Sequence, residues 1–150
     1  MNGGARVTAR RGVAALVMAA VLVVLTACAG GTAQLRSPLE SARSSVNSST
    51  LGLDLYADGK LTWPALTGLL GDMTRDLRDA ETSIAASGKG ADHAVYREAV
   101  EAVRDAADAV ASAHATLSQH PDASIGAQKR ALSSASTSID AALHRVGESP

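Results

Sequence analysis

Three observations predict an all-α protein, an antiparallel up-down-up-down four-helix bundle over residues 37–147. Apolar residues recur at alternating spacings of three and four along four segments. No Asp, Glu, Lys or Arg falls on the faces that those spacings define. The segments are joined by short stretches carrying Asp58-Gly59, Ser87-Gly88 and His120-Pro121, residue types that stop helices. Short joints make sequential helices antiparallel neighbours, crossing near 20°.

The first helix is expected over about 38–57, opened by Ser37-Pro38-Leu39-Glu40. Ser37 is the N-cap, Pro38 takes the first helical position where its missing N–H is harmless, and Glu40 completes a capping box. Leu39, Ala42, Val46, Ser49, Leu53 and Tyr56 share its inner face. Ser44 to Thr50 is weak helix-forming sequence, and Asp58-Gly59 ends the element.

Thr62-Trp63-Pro64 begins the second helix, about 63–87. Leu61 and Leu66 make a hydrophobic staple if Thr62 is the N-cap, whereas Pro64 argues for a start one residue later, because the residue before proline avoids helical geometry. Both starts stay open. Leu66, Leu70, Met73, Leu77, Ala80 and Ile84 turn inward, and Gly88 suits the left-handed cap. Asp92 caps the third helix, about 92–119, with Tyr96, Ala99, Val103, Ala106, Val110, Ala113 and Leu117 inward. The fourth, about 123–146, begins near Asp122 or Ser124. It turns Ile125, Gln128, Leu132, Ala135, Ile139, Ala142 and Val146 inward and ends at Gly147.

Ahead of the bundle, Arg6, Arg10 and Arg11 precede an unbroken apolar run from Val13 to Leu25. This is the layout of a secretory signal. The run is shorter than the roughly 20 residues that span a bilayer, so residues 1–27 are expected to be a signal helix that is cleaved. The run closes on Leu25-Thr26-Ala27-Cys28, which resembles the lipobox of bacterial lipoproteins. The resemblance covers Met1 to Cys28. It implies that the Cys28 thiol takes a diacylglycerol, that cleavage leaves Cys28 as the first residue, and that its amine is then open to acylation, with palmitate a fatty acid of the anchor. The plainer alternative is a spare cysteine behind a signal peptide. Cys28 is the sole cysteine, so an internal disulfide is excluded, and a free thiol would be a liability in an oxidising compartment. Thr8-Ala9-Arg10-Arg11-Gly12-Val13 loosely resembles a twin-arginine export signal, and the general secretion route stays open beside it. Residues 28–36, with Gly30-Gly31, read as a flexible tether reaching at most about 30 Å.

Charge and composition exclude several functions. Three of the fourteen Lys and Arg lie in the signal segment, leaving eleven against fifteen acidic residues and a mature net charge near −4. A nucleic-acid interface needs a basic stripe with interleaved aromatics, and this chain has no Phe, one Trp and two Tyr. A di-metal bundle centre needs Glu-x-x-His on two helices, which the sequence lacks. It also lacks a Gly-x-Ser-x-Gly elbow and a P-loop. No catalytic, cofactor-binding or metal-ligating residue is therefore assigned, and lipidation at Cys28 is the one site.

Three weaker features remain. His93 and His144 would approach one end of the bundle, with Asp140 a turn before His144, but Asp140 and His144 fall on outer positions and read more simply as solvated surface. Gln128 and Ser49 are the polar exceptions on the inner faces. They would meet in a register-fixing contact if the first and fourth helices are antiparallel neighbours, or Gln128 would reach out to water. Trp63 either caps the core or stands exposed as a binding anchor. Arg75 with Asp79, Arg97 with Glu101 and Arg104 with Asp108 are spaced as surface pairs.

The expected function is a non-enzymatic helical interaction or scaffolding module, lipid-anchored on the extracytoplasmic face of a bacterial cell membrane. Its partners would be the membrane, through the lipid on Cys28, and an envelope protein or cell-wall component. No nucleic acid and no cofactor are expected. The alternative is an extracytoplasmic ligand- or metal-binding lipoprotein using the His93/His144 end or the bundle interior.

Overall fold

Four helices make up most of residues 31–148, the part of the chain that the computed structural model describes. They are α1 (Arg36–Ala57), α2 (Trp63–Ser87), α3 (His93–Gln119) and α4 (Gly126–Glu148), with a 3-10 turn at Ala33–Leu35 and no strand among the described residues. The signal segment 1–27 and Cys28 lie outside the described residues.

The N-terminal end differs from its expectation. In place of a tether to residue 36 and a helix from 38, Ala33–Leu35 wind into the 3-10 turn and α1 follows at once from Arg36. The expected capping box at Ser37 is not formed, because Leu35 is the N-cap, in right-handed helical geometry and with no side-chain cap bond. Glu40 instead accepts from Arg36 Nε at 2.8 Å. Pro38 is still harmless, since it falls in the first turn, where backbone N–H groups have no intrahelical acceptor. What draws the chain in is Leu35, which is fully buried and continues the Leu39, Ala42, Val46 rhythm one turn backwards.

The other termini follow from local chemistry. α1 ends in a Schellman motif: Lys60 N–H donates to Leu55 O at 2.8 Å and Gly59 N–H to Tyr56 O at 3.0 Å, with Gly59 left-handed at φ 69°. α2 starts at Trp63, so Pro64 is its second residue and Thr62 its extended N-cap, without a side-chain cap bond. Gly88 does not take the left-handed cap. Its φ is −72°, and Gly90, at φ 102°, supplies the positive φ of the turn closed by Ala91 N–H to Gly88 O. Glycine at 88 leaves room for the Tyr96 ring, whose nearest carbon would lie 2.1 Å from an added Cβ. Asp92 caps α3 as expected, Oδ1 accepting from Ala94 N–H and Val95 N–H at 2.9 and 3.1 Å. α4 starts at Gly126, later than expected, because residues 120–123 close a turn through Ala123 N–H to His120 O. It runs through Gly147 to Glu148.

The helices bury the expected faces. Leu39, Ala42, Val46 and Leu53 of α1, Leu66, Leu70, Leu77, Ala80 and Ile84 of α2, Ala99, Val103, Ala106, Val110, Ala113 and Leu117 of α3, and Leu132, Ala135, Ile139, Ala142 and Val146 of α4 form one cluster. Each fully buried Leu, Ile or Val contributes about 1.5–3 kcal/mol over its exposed state. Met73, Tyr56, Tyr96 and Ile125 pack on the margin, half-buried. Among the described residues the buried polar side chains are Thr32, Ser45, Ser49 and Thr74, with no charged group. Helix α1 packs on α2 and α4, and α3 packs on α2 and α4, with little contact between α1 and α3.

Leu35→Ala is expected to cost about 2–5 kcal/mol, the range for emptying a buried leucine site, read as a lowered urea midpoint with an unchanged slope. A midpoint equal to that of the parent protein would show that the turn is not integral to the fold.

Candidate functional site

Cys28, the assigned lipidation site, lies outside the described residues, so the structure bears on it only through the chain that follows. Gly31, three residues on, runs hard against the α2–α3 loop: a Cβ there would meet Gly90 C and Ala91 N at 2.6 Å. Thr32, almost fully buried, accepts from Asp92 N–H through Oγ1 at 3.5 Å. The 3-10 turn then contacts α1, α2 and α4. The chain thus enters the fold at the end where α2 finishes and α3 starts.

At the opposite end two side chains close the fold onto backbone carbonyls. Trp63 Nε1 donates to Leu117 O at 2.8 Å, and Tyr56 OH donates to Pro121 O at 2.9 Å. Leu117 belongs to the last turn of α3, where carbonyls lack an intrahelical donor, so the indole supplies what the helix cannot. Trp63 is half-buried and hydrogen-bonded, as a residue capping the core would be. Sequence reasoning singled out Trp63 and Tyr56 but not their acceptors, which lie 54 and 65 residues away along the chain.

The weaker candidates are not brought together. Asp140 pairs with Arg43 across α4 and α1 at 3.0 Å, and His144 Nδ1 lies 3.2 Å from Glu148 Oε2 on its own helix. His93 is exposed at the first position of α3. Among the described residues no three His, Cys, Asp or Glu side chains gather as a metal site would require. The Ser49–Gln128 contact is also absent. Ser49 Oγ donates to Ser45 O at 2.8 Å within α1, and Gln128 Oε1 is buried with no partner. A serine hydroxyl reaches the carbonyl one turn back more readily than a side chain on another helix, which leaves Gln128 unanswered.

Of the expected surface pairs, Arg97–Glu101 forms at 4.0 Å. Arg75 turns instead to Asp72, and Arg104 reaches across to Glu81 of α2 at 3.1 Å. Two further pairs tie α1 to α4, Arg43–Asp140 and Asp54–Lys129, and Arg145 lies 3.9 Å from Glu98 of α3. All are largely exposed and worth at most about 1 kcal/mol each. Open grooves run along the helix joins, one between α1 and α2 past Ser37, Ser41, Asp76 and Asp79. Another lies between α3 and α4 past Glu98, Glu101 and Asp105. Both are lined by small and acidic side chains. No helix among the described residues is long and apolar enough to cross a membrane.

Gln128→Leu removes an unpaired buried oxygen and extends the apolar face of α4. A gain of about 1 kcal/mol is expected, the scale of relieving an unsatisfied buried polar group, seen as a raised thermal midpoint. A loss of stability would mean that the amide is satisfied in solution. No family model, curated protein or solved structure matches this chain.

Proposed function

We propose that this chain is a bacterial lipoprotein of the cell envelope, held by lipid on Cys28 at the extracytoplasmic face, whose antiparallel up-down-up-down bundle is a non-enzymatic interaction or scaffolding module. The observation that carries the reading is Leu25-Thr26-Ala27-Cys28 at the end of an apolar run in a chain with one cysteine.

The up-and-down arrangement draws support from the ion pairs between α1 and α4. Moving forward from Arg43 to Asp54 along α1 means moving backward from Asp140 to Lys129 along α4, as antiparallel neighbours require. Trp63 at the start of α2 meeting Leu117 at the end of α3 supports the same relation for that pair. The non-enzymatic reading is supported by what the seam's polar groups do. Ser45, Ser49 and Thr74 each donate to a carbonyl one turn back on their own helix, which leaves these hydroxyls engaged in structure. The metal- or ligand-carrier alternative gains nothing from Asp140 and His144, whose side chains face Arg43 and Glu148.

In a bacterial host fed an alkynyl fatty acid, the parent protein is expected to be labelled, and its mature N-terminal peptide to begin at Cys28 with added diacylglycerol mass. Cys28→Ser is expected to abolish the label. Equal labelling of the serine variant, or an unmodified thiol in the mature protein, would overturn the anchor. Crosslinking in intact cells tests the module, and absence of any envelope adduct would count against it.

A further inference from the structure

We infer that the anchored protein stands on the end built around the α2–α3 loop, with phospholipid headgroups against residues 88–92, and carries the Tyr56, Trp63 and Pro121 end away from the membrane. The inference rests on the lipid-anchor reading above and adds the orientation that this reading leaves open.

The argument is one of reach. A lipid on Cys28 holds that residue at the base of the headgroup layer, which is about 5–8 Å deep on each side of the bilayer. From Cys28 to Gly31 there are three residues, and three residues extend at most about 11 Å. Only a few ångströms are then left between the membrane surface and Gly31. Gly31 stays beside the fold, because it is bonded directly to the buried Thr32 and its backbone lies against Gly90 and Ala91. Thr32 adds a hydrogen bond to Asp92 N–H, and Leu35 is buried completely. Whatever lies next to Gly31 must therefore also lie next to the α2–α3 loop.

The tip of that loop is suited to such a contact. Lys89 and Gly90 are exposed, and the lysine ammonium is a compact donor for lipid phosphate. The flanks are poorer surfaces for the membrane. Leu51 is the exposed large hydrophobic side chain among the described residues, at 58%, and α2 presents the exposed carboxylates of Asp76 and Asp79 on its flank, which anionic lipids repel. With helices of 22–27 residues, the far end is about 33–40 Å away at 1.5 Å per residue. That end carries the open cleft formed by Tyr56, Ala57 and residues 121–125, which would be displayed to the periplasmic or external side.

The test uses the full lipidated protein reconstituted into phosphatidylcholine vesicles containing a little phosphatidylethanolamine with an acceptor dye on its headgroup. Lys89→Cys and Asp122→Cys place a donor dye at the two ends, the Cys28 sulfur being blocked by lipid. Ala86→Cys and Ser124→Cys repeat the comparison at independent exposed positions. Energy transfer is expected to be several-fold stronger from position 89 than from 122, and from 86 than from 124. Equal or reversed transfer in protein that floats with the vesicles overturns the orientation while leaving the anchor standing. Protein that does not float removes both.

Discussion

Because the seam shared by the four helices contains no charged side chain, every polar atom within it has to be answered close to home. In a low-dielectric interior an unpaired donor or acceptor costs free energy comparable to a lost hydrogen bond. The seam meets this constraint with hydroxyls, short donors that bond the carbonyl a turn back on their own helix. Ser45, Ser49 and Thr74 all do so. The serine-rich middle of α1, unpromising by propensity, is thereby compatible with burial, and no polar contact between helices is needed there. Gln128 is the exception. Its unpartnered atom is the amide oxygen, an acceptor, which a carbonyl one turn back cannot answer.

The two ends of the molecule are closed by different means. At one, the 3-10 turn lays Leu35 across the helices and Thr32 reaches Asp92. At the other, Trp63 and Tyr56 hand their polar atoms to carbonyls at and just beyond the end of α3. The first closure is made by the chain that follows Cys28, with Gly31 three residues on from it. A module anchored as we propose would differ from one on a long leash, since its distance from the membrane and its facing end would be set by the fold. The second closure frames a cleft of Tyr56, Ala57 and residues 121–125, which in the proposed orientation would face away from the membrane.

Much of this was legible before any coordinates. The three-four rhythm placed Leu66, Leu70, Leu77 and Ile84 on one face, and all are buried. Asp92 announced its own helix by position and chemistry, and its carboxylate takes two backbone N–H groups. The misreadings came where local signals competed. Ser37-Pro38-Leu39-Glu40 has the residues of a helix start, yet burial of Leu35 outweighs a surface cap worth about 1 kcal/mol and carries the helix backwards. Gly88 and Gly90 both fit a turn, and it is Gly90 that takes the positive φ while Gly88 makes room for Tyr96.

The order of apolar and polar residues determined by itself that the described residues would make four α-helices and which face of each would be hidden, because a 3.6-residue period admits one burial pattern per segment. It also carries, in Leu25-Thr26-Ala27-Cys28, the motif behind the address we propose. Tertiary structure decided which polar groups meet across helices: Arg43 with Asp140, Arg104 with Glu81, and Trp63 with the Leu117 carbonyl, while Ser49 bonds to Ser45 within α1 and not to Gln128. It likewise decided that Gly31 lies against Gly90 and Ala91. The reason is geometric. A face is a property of one helix and can be read from spacing, whereas a partner depends on the rotation and offset of two, which are set only when the whole seam packs.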